Sequence, residues 1–195
     1  MRVLVVYCHP RTDSFNAAIH QRVLAGLRAA GHEVDDCDLY AEGFNPVLGA
    51  EELAGYHAVP ANRAPVQPHV QRLLAAQALV LVFPVWNFGL PAMLKGWFDR
   101  VLLPGVSFDM SDPQRIRPGL THLRHVVGVA TYGSARWRAW WLGDAPRALV
   151  KRFLHRLTDG RARVQYLPCR HLNVAGAEQR QAFLQRVEQT MQRMA

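Results

Sequence analysis

Ala78-Leu79-Val80-Leu81-Val82-Phe83-Pro84-Val85-Trp86-Asn87-Phe88-Gly89-Leu90-Pro91 is the stretch on which the fold turns. Ala78 to Phe83 is apolar without alternation, the pattern of a strand covered on both faces. A turn rich in aromatics and prolines follows, and Pro91 suits the first turn of a helix reaching about Leu103. Working outward, Val3 to Tyr7 repeats the buried-strand pattern. Phe15, Ile19, Val23 and Leu27, with Ala18 and Leu24 beside them, recur at helical spacing until Gly31 ends the run. His32 to Leu39 reads as a second strand, polar enough for a sheet edge. Val66 to Ala76 reads as a helix and His125 to Ala130 as another apolar strand. Asp144 reads as the N-cap of a helix to about Leu157. Arg163 to Leu167 is a last strand, and Phe183, Leu184, Val187 and Met191 mark a final helix. Segments 41–65, 104–122 and 131–143 read as loops, the first long enough to suggest a functional role.

Strands alternating with helices imply a parallel sheet covered on both faces. Five strands is the flavodoxin-like count, so the expected fold is α/β, a three-layer sandwich with strand order 2-1-3-4-5. Residues 1–195 read as one domain, a size that buries about 70% of the unfolded surface. Such sheets bind ligands beyond the carboxyl ends of their strands, at the switch point between strands one and three. The loops to inspect are therefore 8–16, 84–90 and 131–143.

Composition narrows the chemistry. The chain of 195 residues carries 23 basic and 15 acidic residues, a formal charge of +8. The excess lies in residues 111–195, with 15 basic against 5 acidic, and all the basic residues but Lys95 and Lys151 are arginine. Basic chains of this size bind nucleic acid, anionic membrane surfaces or anionic small molecules. Cys8, Cys37 and Cys169 are far apart with no C-x-x-C pair, so neither a structural zinc site nor a disulfide scaffold is indicated. No hydrophobic run approaches a membrane span, and Met1 to Tyr7 is too short for a signal-peptide core, so a soluble, cytoplasmic protein without membrane insertion is expected. There is no G-x-G, P-loop, G-x-S-x-G or H-E-x-x-H motif. A low-molecular-weight tyrosine phosphatase would need Arg six residues after Cys8, where Ser14 stands.

Three loops carry what remains. Cys8-His9-Pro10-Arg11-Thr12-Asp13-Ser14-Phe15-Asn16 joins a strand to a helix N-terminus, where free N–H groups meet anions. It is either a phosphate cradle or an ordinary cap by Asp13 or Ser14. In the second loop Trp86 and Phe88 either stack on a planar ring system or plug the end of the sheet, with Asn87 as a polar handle. The third, dense in Trp and Arg, offers Arg136 and Arg138 to phosphate or a quinone oxygen, or serves a dimer contact.

Together these segments resemble the NAD(P)H:quinone oxidoreductase (DT-diaphorase-like) family of flavodoxin-like flavoproteins over about residues 2–170. The resemblance rests on His9 with Ser14-Phe15-Asn16, on Leu39 to Pro46, and on the block from Phe83 to Asp99, which contains Pro91-Ala92-Met93-Leu94-Lys95-Gly96-Trp97-Phe98. It implies a bound flavin, NAD(P)H as electron donor and two-electron, ping-pong reduction of quinones or similar acceptors. By position, His9, Ser14, Phe15 and Asn16 would hold the flavin phosphate. Pro84, Val85, Trp86, Asn87 and Phe88 would line the ring, and Thr131, Tyr132 and Gly133 would meet its pyrimidine end. Tyr132 and Arg136 are the candidate catalytic groups, donors toward negative charge growing on that end. Lys95, Trp97 and the 41–65 excursion would serve packing and a homodimer.

The chain lacks the Tyr and His that the best-known members place in the third loop; Arg136, Trp137 and Arg138 stand near the Tyr position and Leu142 near the His. It also lacks their C-terminal extension, which favours FMN, with FAD as the alternative. Three rivals differ in class: a flavodoxin-type electron carrier, a regulatory subunit docked on a transporter, and a nucleic-acid binder, the last disfavoured by the specificity of the flavin-like signature.

Overall fold

The computed structural model describes residues 1–112 and 114–194; Pro113, within the expected 104–122 loop, and Ala195 lie outside them. The elements run β1 (Arg2–Tyr7), α1 (Phe15–Ala29), β2 (Glu33–Asp38), α2 (Ala50–Ala54), a 3-10 turn (Ala61–Val66), α3 (Gln67–Ala75), β3 (Ala78–Val85) and α4 (Ala92–Val101). There follow β4 (Phe108–Asp109), β5 (Arg117–Pro118), β6 (His125–Tyr132) and α5 (Arg136–Trp141). Next, α6 (Ala145–Ala148), a π-helical turn (Leu149–Leu154) and α7 (His155–Leu157) run on as one helix, before β7 (Arg163–Cys169) and α8 (Ala177–Gln192). The main sheet has five strands in the order β2-β1-β3-β6-β7, every pair parallel. Counting these five alone, the order is the expected 2-1-3-4-5.

Alternate residues of each inner strand feed two cores, as the strand period requires. Val3, Val5 and Tyr7 pack with Ile19, Val23 and Leu27 of α1 and with Val187 and Met191 of α8. Leu4, Val6 and Cys8 face Leu73, Leu94 and Trp97 on the opposite side. Each fully buried Leu or Val contributes about 1.5–3 kcal/mol, which explains why the inner strands read as unbroken apolar runs. Gly26 lets α1 and α8 touch, since a Cβ there would stand 2.7 Å from the Glu188 carbonyl oxygen.

Several local expectations need correction. The 41–65 segment is not structureless. It contains α2, whose start is fastened by the Gly49 N–H donating to Glu52 at 3.3 Å, and the 3-10 turn. The 104–122 segment holds the short antiparallel β4–β5 ladder. β3, β6 and β7 run two residues further than expected, so Pro84, Val85, Thr131 and Tyr132 sit on strands rather than in loops. Pro84 is tolerated because β1 pairs with β3 only as far as Val82; beyond it β3 keeps a neighbour on one side alone, an edge position. Asp144 precedes α6 with φ +40° and makes no side-chain capping bond.

The 41–65 excursion is clamped to α4. The Arg100 side chain, 8% exposed, donates from Nε to Glu52 Oε2 at 2.9 Å, from Nη2 to Glu52 Oε1, and from Nη1 to the Asn45 carbonyl. This bonding holds the Glu52 carboxyl below its ordinary value of 4.5. A depressed carboxyl contributes stability that is complete above its unfolded pKa and lost as pH falls through the folded one. Glu52→Gln should therefore flatten the acid limb of stability against pH, read by urea unfolding at pH values from neutral to about 3. An unchanged limb would show the clamp to be inert.

Candidate functional site

The carboxyl ends of β1 and β3 mark the point where the chain has placed β2 on one side of β1 and β3 on the other. Loop one opens there. Ser14 caps α1 by accepting from the Ala17 N–H at 3.1 Å, and its hydroxyl donates to the Arg11 carbonyl at 3.0 Å. Capping in this way leaves the Phe15 and Asn16 N–H groups without intrahelical acceptors, at the positive end of a fifteen-residue helix. His9 Nδ1 stands 3.1 Å from the Arg11 N and 3.2 Å from the Arg11 carbonyl oxygen, so the Arg11 backbone holds the ring in place in either tautomer. Desolvation pushes its pKa below the ordinary value, which favours the neutral ring at pH 7. Arg11 is not a free cation, because its guanidinium meets Asp13 at 2.9 and 2.8 Å.

Asn16 is placed differently from a simple phosphate ligand. Its side chain is buried, and Nδ2 donates to Thr131 Oγ1 at 2.8 Å, tying loop one to the end of β6. Its Oδ1 is buried with no hydrogen-bond partner. Phe15 packs against Phe183 with ring centroids 6.4 Å apart, and Arg180 lies over its outer face.

Loop two is a strained turn. Asn87 and Phe88 have φ of +49° and +60°, and the Gly89 N–H closes the turn onto the Trp86 carbonyl at 2.9 Å. Two left-handed residues in succession, one of them an aromatic without a helpful side-chain oxygen, cost backbone energy of the kind concentrated at functional sites. The turn presents Trp86, 43% exposed, toward His9, with ring centroids 5.9 Å apart and planes at 58°. Phe88 is half-buried against the core. Trp86 is thus an exposed ring face, while Phe88 takes the plugging role.

Loop three departs most from expectation. Residues 136–141 form α5, with Trp137, Trp140 and Trp141 between 64% and 76% exposed and only Ala139 buried. Arg136 and Arg138 flank them in solvent, Arg138 lying 5.2 Å over the Trp137 ring. The Tyr132 side chain points the other way. It is buried, its hydroxyl donates to Asp144 at 2.6 Å, and it meets the Tyr166 hydroxyl at 2.5 Å. Arg170 donates to the other Asp144 oxygen at 2.9 Å and stacks 4.5 Å above the Tyr132 ring. The expected Tyr132 donor therefore needs correction: its hydroxyl is committed to this interior network, which also explains why Asp144, though it stands at the expected N-cap position of α6, makes no side-chain capping bond. Burial raises the pKa of both phenols, so they remain neutral donors.

The network and the segment after β7 are what sequence reasoning missed. Leu172 N–H donates to the Tyr132 carbonyl at 2.9 Å, and His171 N–H to the Ser134 carbonyl at 3.2 Å, so residues 171–173 underpin exposed Gly133. Cys8 lies at the site floor, fully buried, its thiol pushed up to about 12 by desolvation, and is no nucleophile. A broad apolar groove of about 860 Å³ lies away from these loops, where Leu48, Leu53, Tyr56, Phe98, Leu102 and Phe153 converge. Among the described residues no helix is long and apolar enough to cross a membrane.

The site thus brings helix-end amides, one exposed indole and an orphaned buried amide oxygen to the carboxyl ends of β1, β3 and β6. NAD(P)H dehydrogenase (quinone) 1 of Rattus norvegicus is 33% identical over 123 residues, 55% of this chain and 45% of that protein. The chain spans about half the length of the curated relatives it matches. Smu.1420 of Streptococcus mutans UA159 superposes with a TM-score of 0.86 at 26% identity, over the full length of both chains. An FMN-dependent NADH-azoreductase of Bacillus anthracis in complex with FMN has the same fold at 17% identity, with a TM-score of 0.78 and full coverage of both chains. A family model described as flavodoxin-like fold matches residues 1–194, and the chain belongs to that family.

Proposed function

We propose that the protein is a flavin-dependent NAD(P)H oxidoreductase that reduces quinones or chemically similar acceptors. The observation that carries this reading is the strained Trp86–Gly89 turn, which holds an exposed indole opposite His9 and the Ser14-capped end of α1 at the switch point of the sheet. FMN is the favoured cofactor, supported by the azoreductase of the same fold that binds it. A bound flavin would supply two-electron hydride chemistry between NAD(P)H and the acceptor, and one pocket serving both substrates in turn would give ping-pong kinetics.

This chain's residues supply binding and electrostatics. The Phe15 and Asn16 N–H groups and the His9 ring would hold the flavin phosphate, while Ser14 caps the helix end that carries them. Pro84, Val85, Trp86, Asn87 and Phe88 form the wall for the ring, stiffened by the β3 end and the left-handed turn. Asn16 and Thr131, bonded to each other, fix the floor against the Tyr132–Gly133 backbone. Arg136, free in solvent at the head of α5, is the cation placed to meet negative charge on substrate or ring. Tyr132 acts through Asp144 and Arg170 as a positioning residue rather than as a hydroxyl donor. The apolar groove lined by the 41–65 excursion, α4 and the helix that runs from α6 to α7 would be the face for a homodimer.

Trp86→Ala combined with Asn87→Ala should lower flavin occupancy about tenfold or more, since an aromatic stacking contact and a polar handle are each worth about 1 kcal/mol. Unchanged flavin content and turnover would sink the ring-wall assignment. The exposed Arg136–Arg138 pair favours the phosphorylated donor. Arg138→Ala should raise KM for NADPH by about 10-fold or more and leave that for NADH unchanged. Equal changes for both donors would remove the pair from donor selection.

A further inference from the structure

The edge of the sheet opposite the third loop carries a side-chain cluster that the redox chemistry does not use. Cys37 lies near the end of β2 and is 1% exposed, fixed by the register that pairs it with Val6. Its Sγ stands 3.6 Å from His69 Nδ1 and 3.7 Å from Glu42 Oε2. His69 Nε2 lies 4.0 Å from the same carboxylate oxygen, and one ligand atom from each residue falls within 4.8 Å of the others. His69 sits in the first turn of α3, its ring held edge-on to Phe44 at 4.8 Å.

We propose that Cys37, Glu42 and His69 form a site for a zinc-class divalent cation. A tetrahedral zinc ion with bonds of about 2.3 Å to sulfur and about 2.0–2.1 Å to nitrogen or oxygen has ligand–ligand edges of about 3.3–3.6 Å. Both sulfur edges of the cluster are already near that length. The sulfur edge to His69 runs to Nδ1, whereas the 4.0 Å contact with Glu42 is through Nε2. An ion takes one ring nitrogen, so one histidine edge must close from a separation of at most 4.8 Å, and Glu42 is the member with freedom to move, its side chain 34% exposed. A thiolate, an imidazole and a carboxylate select zinc over magnesium or calcium, which prefer all-oxygen shells. Three protein ligands leave the fourth position to water on the solvent side of Glu42.

Arg72 is the group that decides whether the site can hold charge. Its guanidinium bonds Glu42 at 2.8 and 2.9 Å, Asp35 at 2.9 Å and the Asp36 carbonyl at 2.7 Å. With the thiolate formed, Cys37, Glu42 and Asp35 carry three negative charges against Arg72 and Arg2, the latter 3.7 Å from Asp35, so the cluster keeps a net negative charge toward a cation. Arg72 can keep Glu42 Oε1 while Oε2 turns to the ion, the usual part of an outer-shell anchor. The thiol proton leaves to solvent as the metal binds. Such an ion would pin the 39–46 segment to α3, away from the flavin crevice, so the proposal stands independently of the redox reading.

Titrating Co²⁺ into the metal-free, reduced full-length protein tests this. The expected result is one equivalent bound, with a thiolate-to-cobalt charge-transfer band and tetrahedral visible bands, both displaced by one equivalent of Zn²⁺. Cys37→Ser should abolish the charge-transfer band, and His69→Ala and Glu42→Gln should each weaken binding by more than about tenfold. Absence of the band in the natural protein, or its persistence in Cys37→Ser, overturns the proposal. Should Cys37→Ser fail to fold, His69→Ala decides, since unchanged affinity there overturns it equally.

Discussion

Asp144→Ala should destabilise the protein by about 3–5 kcal/mol, the cost of removing one partner from a buried ion pair. The carboxylate serves three groups at once: the Tyr132 hydroxyl, the Arg170 guanidinium and, through Tyr132, the Tyr166 hydroxyl. Arg170 and Asp144 side chains are only 15% and 11% exposed, so water repays little of the loss. Asp144→Asn keeps one acceptor, for the Tyr132 hydroxyl, but turns an amide NH2 toward the Arg170 guanidinium and leaves that cation unpaired, so it should cost about 2–4 kcal/mol. Urea unfolding measures both. The larger variant should also loosen the β6 end beneath the third loop and lower flavin occupancy. If the two variants were equally mild, the network would not be holding that loop.

Gly96→Ala sets two effects against each other. Alanine is favoured over glycine within a helix by about 1 kcal/mol, so propensity alone predicts a gain. At this position the new Cβ would lie 2.1 Å from the Pro46 carbonyl oxygen and 2.4 Å from its Cβ. Neither neighbour is the tip of a flexible chain, so α4 and the 41–65 excursion must part. Overpacking of this kind costs about 1–3 kcal/mol or more, and at this separation we expect a net loss of about 2–3 kcal/mol. In a chain of this size that lowers Tm by roughly 4–12 °C. Because the displaced segment borders the apolar groove, the variant should also weaken self-association, measured by sedimentation at graded concentrations. A more stable variant would show that the segment yields freely.

Much of the fold was legible because its signals are local. Val3 to Tyr7 and Ala78 to Phe83 are buried on both faces, and burial on both faces leaves an unbroken apolar run. The edge position of β2 was readable from the charges of Glu33, Asp35, Asp36 and Asp38. A cap at Asp13 or Ser14 was readable from their place before Phe15, and Ser14 takes it. What failed was information carried across long separations or against the usual rule. α5 escaped because apolar spacing reveals a helix when the apolar face is buried, and here Trp137, Trp140 and Trp141 face solvent. Asp144 reads as a cap by position, yet its partners are 12 and 26 residues away. Asn16 and Thr131 are 115 residues apart, and nothing in either segment announces their bond. The turn at Asn87 is legible from the asparagine, but a left-handed Phe88 has no sequence signature. The Cys37–Glu42–His69 cluster follows the same logic, since His69 lies 32 residues from Cys37 and only the folded chain brings it beside the thiol.

The reading of this crevice as a flavin site with NAD(P)H as donor is tested most directly by the absorption spectrum of the purified protein. After incubation with FMN and removal of excess, the account predicts about one flavin per chain, bleaching on addition of NAD(P)H, and return of colour when menadione is added. A colourless protein that takes up neither FMN nor FAD would contradict it.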